Sequence, residues 1–222
     1  MTQELWTAVD EYLEETFLTP DAALEEALRA SDAAGLPAHH VSASQGQFLM
    51  LLARSLGARR ILELGTLAGY SSIWLARALP DDGRLVTLEL NPRHAEIAQQ
   101  NIARAGLGHK VEIRLGAALE SLAQAAAARE APFDFIFIDA DKQNSVGYFE
   151  GELRLARPGT VIVMDNVIRA GAVLDASSED ERVQGLRRCN ARIAEEPRVL
   201  AATLQTVGSK GYDGFSMLLV TG

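Results

Sequence analysis

Four acidic residues recur at one place in the pattern of the chain: Glu63, Glu89, Asp139 and Asp165 each close a short apolar run. Such runs read as buried strands, and in an open parallel α/β sheet the ligand crevice lies beyond the carboxyl ends of the strands. Neighbouring strands lie about 4.8 Å apart, so Asp139 and Asp165 on adjacent strands would point into nearly the same space. Two carboxylates that close repel, and one tends to take up a proton unless a cation sits between them. Asn166 follows directly and adds an amide oxygen. Two carboxylates, an amide oxygen and room for water or substrate suit a hard divalent cation, Mg²⁺ or Ca²⁺ rather than Zn²⁺. Asp-Asn after a strand also makes a simple turn, and on these two residues alone that alternative stays open.

The other two acids flank a glycine turn, Ile61-Leu-Glu-Leu-Gly-Thr-Leu-Ala-Gly-Tyr-Ser-Ser72. Gly65 lets backbone approach a ligand and Gly69 eases entry into the next helix. Ser71 and the first-turn N–H groups of that helix form a carboxylate site favoured by the helix dipole. The spacing is G-x-x-x-G, not the G-x-G-x-x-G of dinucleotide sites. Glu63 would repel a pyrophosphate but suits a ligand carrying an ammonium and a sulfonium. Glu89, at the end of the second strand, is placed to accept from both hydroxyls of a ribose, which indicates a nucleoside without saying which. A tight βα connection with no ligand is the structural alternative for the glycines.

The elements that must position these residues follow from periodicity. Leu5, Val9, Tyr12, Leu13 and Phe17 share one face of a first helix. Thr19-Pro20-Asp21 reads as N-cap, first-turn proline and dipole-favoured acid of a second helix, ending near Gly35-Leu36-Pro37. A third, from about Ser44 to Leu56, turns Phe48, Leu49, Leu52 and Leu56 inward. Strands are expected at Arg60–Glu63, Arg84–Glu89, Lys110–Leu115, Phe133–Asp139 and Thr160–Asp165. Helices alternate with them at about Ser71–Leu79, Pro92–Ala105, Leu119–Ala128 and Ser145–Ala156, a pattern of right-handed βαβ crossovers. A last helix near Glu179–Glu195 leads to Arg198–Thr206 and Phe215–Val220, an antiparallel hairpin joined through Gly208–Gly214. The fold class is α/β: a doubly wound, seven-stranded, mostly parallel sheet with an antiparallel C-terminal hairpin and N-terminal helices.

The bulk properties allow this. Of the 222 residues, 48% are hydrophobic and 23% charged, and the formal net charge is −9 with no Lys/Arg-rich run, which argues against a nucleic-acid partner. Cys189 is the single cysteine, so no internal disulfide forms and a cytoplasmic location is expected. No signal peptide is read in residues 1–6, and no apolar run approaches the roughly 20 residues of a membrane span.

Three segments carry a resemblance: residues 61–72 quoted above, Phe133-Asp-Phe-Ile-Phe-Ile-Asp-Ala-Asp-Lys142 and Val163-Met-Asp-Asn166. They resemble the glycine loop and two metal loops of the class I cation-dependent O-methyltransferases, which include catechol and plant caffeoyl-CoA O-methyltransferases and bacterial relatives. The likeness runs from about Val41 to Phe215. It implies a single Rossmann-like S-adenosylmethionine-dependent domain, with residues 1–57 as a helical cap and 58–222 as the α/β core. It implies that Asp139, Asp165 and Asn166 ligate a divalent cation, Mg²⁺ foremost, with Ca²⁺ or Mn²⁺ as alternatives. Val41, Glu63, Gly65, Thr66, Ser71, Glu89, Ala118 and Asp139 would line the cofactor site. Lys142 matches the general base, beside Asp139. The implied reaction is methylation of a metal-held hydroxyl on a small catechol-like or phenolic acceptor, by a soluble homodimer. One departure stands out. The plant coenzyme-A-ester enzymes carry Trp-Asn shortly after the second metal loop, where this chain reads Val167-Ile-Arg-Ala-Gly171, which points away from a coenzyme A ester.

Two rival readings remain at this level: an NAD(P)-dependent oxidoreductase, which would want G-x-G-x-x-G and Tyr-x-x-x-Lys, and a non-catalytic nucleoside- or metal-binding module. His39 and His40 read as lid or surface residues, His94 and His109 as exposed, Cys189 as a helix-face residue, and Trp6 and Trp74 as packing. Asn190 and Asp213 fall in segments that shape the acceptor end in the family.

Overall fold

The computed structural model describes residues 2–222; Met1, where the stretch read for a leader begins, lies outside them. Among the described residues seven strands form one sheet in the order β3-β2-β1-β4-β5-β7-β6; β1–β2, β2–β3 and β4–β5 pair in parallel, and β5–β7 and β7–β6 antiparallel. Two compact units are distinguished by their packing, residues 8–118 and residues 2–7 with 119–222.

In the first unit, β1 (Arg60–Leu64), β2 (Arg84–Glu89) and β3 (Val111–Leu115) pair in parallel. β1 and β2 are nearly continuous apolar runs because both faces of a parallel sheet are covered. Helix α4 (Tyr70–Ala78) follows β1 and is buried nearly all round, while α5 (Pro92–Arg104) follows β2 and starts on an Asn91 cap. Ahead of the sheet come α1 (Gln3–Phe17), α2 (Ala22–Ala33) and α3 (Ala43–Ser55).

Three expectations about these helices change. The cap of α2 is Asp21, not Thr19: its Oδ1 accepts from the N–H groups of Ala23 and Leu24 at 3.0 Å, and its other oxygen pairs with Arg77 at 2.6 Å. On α3 the core stripe is Gly46, Leu49 and Ala53, whereas Phe48 and Leu56 are exposed and Leu52 is half-buried. The reason is a close approach. A Cβ on Gly46 would lie 2.9 Å or less from the indole of Trp74, so this glycine turns inward with Leu49 and Ala53 on the same face, while Phe48 and Leu56 point away. The apolar face of α1 exists but is turned outward, with Tyr12 65% and Phe17 68% exposed.

In the second unit, β4 (Phe135–Ile138) and β5 (Val161–Asp165) are parallel neighbours, fully buried along their length. Helix α6 (Ala118–Ala127) precedes β4, and between β4 and β5 run a short 3-10 turn at Lys142–Asn144 and α7 (Ser145–Leu153). Helix α8 (Glu181–Ala194) then leads to β6 (Val199–Gly208) and β7 (Gly211–Val220). The hairpin is longer than expected: Gly208 pairs with Gly211 across a two-residue turn, Ser209-Lys210. Glycines that look like a loop in the sequence lie in the ladder instead. Gly214 has no room for a side chain, since a Cβ there would stand 2.7 Å from Ile168 Cγ1 and collide with the Leu204 carbonyl.

Candidate active site

The last paired rung of β4 and β5 is Ile138 with Met164. Asp139 is the first residue past β4 and Asp165 the last of β5, so the register sets both acids at neighbouring strand tips. Asp165 is buried. Its Oδ1 accepts the N–H of Asn166 at 2.8 Å, and Asn166 adopts a left-handed φ of 54°, a conformation Asn tolerates better than most residues. Lys142 is only 7% exposed, and its Nζ donates to Asp139 Oδ1 at 3.3 Å. A buried ammonium needs such a partner, so the lysine is held at the acid pair rather than in solvent.

The turn that carries Lys142 is tied down by its own side chains. Asp141 accepts from the Tyr148 hydroxyl and from Asn144 Nδ2, the latter at 2.6 Å. Burial, followed by the bond to and charge of Asp141, pushes the Tyr148 phenol well above its ordinary range. Ser145 Oγ donates to the Lys142 carbonyl at 2.8 Å.

Past Asn166 the chain stays in an unusual path: Arg169 and Ala170 have φ near 52° and 51°, and Gly171 near 89°. A single side-chain oxygen gathers three backbone N–H groups at this path. Asp213 Oδ1 accepts from the N–H groups of Ile168 and Arg169 at 2.9 Å and of Gly214 at 3.0 Å. Asp213, whose role the sequence leaves open, thus clamps the loop after the acid pair, while Asn190 is exposed on α8.

In the other unit, the glycine turn is built around the two glutamates. Glu63 is fully buried and its Oε2 accepts from Ser72 Oγ. Glu89 Oε2 accepts from the N–H groups of Thr66 at 3.2 Å and Leu67 at 2.8 Å, and Oε1 from that of Asn91 at 2.8 Å. The Thr66 and Thr87 hydroxyls share a 2.6 Å bond. Gly65, Leu67 and Gly69 all have positive φ, which bends the turn out of the strand and into α4. Gly116, with φ 145°, would carry a Cβ into open space, two residues before Ala118. Val41 is buried, Ser71 and Ala118 are half-buried, and His40 Nδ1 lies 3.0 Å from the Val41 carbonyl.

Two residues of this unit escape the sequence reading. Ser72, rather than only its neighbour Ser71, is the hydroxyl fastened to Glu63. Asn101, buried on α5, donates to the Ala68 carbonyl at 2.9 Å and so steadies the turn. A polar residue on a helix face otherwise made of Ala98 and Ile102 is the signal that finds it. His94, expected to be exposed, is half-buried with Nδ1 3.5 Å from Glu89 Oε1. His109 is exposed, and Trp74 and Cys189 are buried.

A hard cation fits the oxygen donors at the acid pair, two carboxylates and an amide, better than a soft one. Among the described residues no group of three or more His, Cys, Asp and Glu is placed to hold a metal, so the amide of Asn166 would have to complete the set. The glycine turn fits a nucleoside ligand with a charged amino-acid tail: the open backbone at Gly116, the buried Glu63 and the first-turn N–H groups of α4 are the matching groups.

Residues 14–217 match the family model described as O-methyltransferase. The catechol O-methyltransferase of Niastella koreensis is 51% identical over 220 residues, covering 99% of this chain and all of that one. An O-methyltransferase from Bacillus cereus, solved in complex with SAH, superposes with a TM-score of 0.98 at 58% identity, over 99% of this chain and 100% of its own. One from Streptomyces achromogenes, in complex with SAM, gives 0.97 at 50% identity over the whole of both chains.

Proposed function

The chain belongs to the O-methyltransferase family, and from that membership we propose that it moves the methyl group of S-adenosylmethionine to a cation-held hydroxyl of a small catechol-like or phenolic acceptor. The observation that carries the finer part of this reading is the acid pair: two strand-tip carboxylates in register, with a buried lysine bonded to one of them. Nothing in a simple turn calls for that lysine.

Asp139, Asp165 and Asn166 would hold the divalent cation, Mg²⁺ in the first place, with Ca²⁺ or Mn²⁺ as substitutes. When bound, such a cation lowers the pKa of a coordinated hydroxyl and stabilises the oxyanion. As the neutral amine, Lys142 takes the proton from the reacting hydroxyl at its Nζ, beside Asp139. Glu63, Gly65, Thr66, Ser71, Glu89, Ala118 and Val41 bind the methyl donor, and Asp139 borders it. Displacement at a sulfonium methyl needs little else than alignment, which oriented reactants supply at a gain of several kcal/mol. The loop clamped by Asp213 shapes the acceptor side, and its lack of Trp-Asn favours a phenol over a coenzyme A ester.

On this reading both units serve a single methyltransferase domain, residues 1–57 as cap and 58–222 as core. The outward apolar face of α1, with exposed Leu200 and Leu204 on the edge strand β6, supports a homodimer. Among the described residues no helix is long and apolar enough to cross a membrane, and Cys189 is free; we place the activity in the cytoplasm.

The test is methyl transfer from labelled S-adenosylmethionine to a panel of catechols, flavonoids and caffeoyl esters, with EDTA and after Mg²⁺ is restored. Transfer to a catechol that stops with EDTA and returns with Mg²⁺ is expected. Transfer that continues undiminished without divalent ions contradicts the cation-held acceptor.

A further inference from the structure

Lys142 sits on a three-residue 3-10 turn, which has little stiffness of its own, yet its amine has to be placed to within a fraction of an ångström to move a proton. Helix α8 packs directly on this turn, and the point of closest approach is Gly185, buried in the middle of the helix. A Cβ at 185 would collide with the Lys142 carbonyl oxygen and would stand 2.7 Å from Gln143 Cα and 3.0 Å from Gln143 O. These are backbone atoms and cannot rotate out of the way. Glycine is among the poorest helix formers, so local preference gives no reason for it here. Backbone-to-backbone contact with the lysine turn does.

The turn is gripped from other directions as well. The Lys142 carbonyl that faces Gly185 also accepts from Ser145 Oγ at 2.8 Å, and the Ser145 carbonyl meets Cys189 Sγ of the same α8 at 3.5 Å. Asp141, the residue before Lys142, is pinned by the Tyr148 hydroxyl from α7 and by Asn144. By contrast, Gly147 and Gly151 of α7 would meet only side-chain atoms of Leu119 and Leu122, which can move.

We infer that Gly185 and Tyr148 are positioning residues for Lys142: the bare backbone of α8 and the hydroxyl of α7 fix the turn from which the lysine reaches Asp139. The inference rests on the reading of Lys142 as the base. Adding a methyl group at 185 pushes the turn and withdraws the amine; removing the Tyr148 hydroxyl lets Asp141 swing.

The experiment compares Gly185→Ala, Tyr148→Phe, Lys142→Ala and the doubles Gly185→Ala/Lys142→Ala and Tyr148→Phe/Lys142→Ala. Each is assayed with catechol, S-adenosylmethionine and Mg²⁺, and titrated with S-adenosylhomocysteine. Gly185→Ala is expected to lower kcat on the order of 10- to 100-fold, and Tyr148→Phe by a smaller factor. Both keep the affinity for S-adenosylhomocysteine, and neither lowers kcat further once Lys142 is gone. Amide exchange at residues 142–145 should quicken in Gly185→Ala. Wild-type kcat in soluble Gly185→Ala, losses that multiply with that of Lys142→Ala, or an equal loss of S-adenosylhomocysteine binding would each overturn the inference. If Gly185→Ala does not fold, Tyr148→Phe decides by the same two criteria. A slow Lys142→Ala beside unimpaired Gly185→Ala and Tyr148→Phe overturns the inference alone; an unimpaired Lys142→Ala removes the base and the inference together.

Discussion

The two pairs of strand-end acids look alike in the sequence and are used differently. Glu89 accepts three backbone N–H groups and Glu63 a buried serine hydroxyl, so these carboxylates are fixed by their own chain and shape the glycine turn proposed to take the methyl donor. Asp139 meets an ammonium and Asp165 the N–H of the residue beside it, at tips that share a register. A carboxylate held by several N–H groups is fixed in place and keeps a lone pair for a ligand. One whose partner is a lysine side chain can exchange that partner for a cation, which is what a metal ligand must do. The position of an acid at a strand end therefore indicates a ligand edge, while its hydrogen bonds indicate its task.

Replacing the acid pair should separate the two regions most sharply. Asp165→Ala is expected to cut methyl transfer on the order of 1,000-fold, the worth of several kcal/mol of charge stabilisation. Binding of S-adenosylhomocysteine, followed by calorimetry, should stay close to that of the wild type. Equal losses in both would erase the distinction.

Lys142→Ala comes next, with turnover lower by about 100-fold and cofactor binding intact. Glu89→Gln attacks the other region. A single amide oxygen cannot serve three N–H donors, so about 1–3 kcal/mol of turn stability is lost. The expected result is S-adenosylhomocysteine affinity weaker by about tenfold, with Mn²⁺ binding untouched.

The smallest effect concerns a group outside both sites. Glu152 on α7 is fully buried, and neither carboxylate oxygen has a hydrogen-bond partner among the described residues. Burial pushes its pKa well above the ordinary carboxylate range. The folded chain keeps this proton after the unfolded chain has released it, so the group's contribution to stability is full below the unfolded pKa and declines as pH rises above it. Glu152→Gln should therefore melt a few degrees higher than the wild type near pH 8, with the gap closing toward pH 4. A gap that widens on acidification contradicts this account of Glu152.

Much of the fold was legible because parallel strands buried on both faces leave continuous apolar runs, and because βαβ spacing is regular. The acids at strand ends were legible for the same reason. The stripe on α3 was not: periodicity registers large side chains, and Gly46 faces inward through a close approach to Trp74, a residue of another helix. Nor was the hairpin turn, since Gly208, Gly211 and Gly214 suit a loop and a crowded ladder equally well. In the site, residue types predicted donors but not who bonds to whom. Ser72, Asn101 and the clamp at Asp213 depend on the path of turns with left-handed residues, which no local spacing encodes.

The claim on which the rest depends is that Asp139, Asp165 and Asn166 grip one divalent cation. Mn²⁺ titration followed by electron paramagnetic resonance tests it most directly, on the wild type and on the Asp139→Asn/Asp165→Asn double variant. One Mn²⁺ site per chain that disappears in the double variant is the expected result. An unchanged Mn²⁺ site in that variant, or none in the wild type, would contradict it.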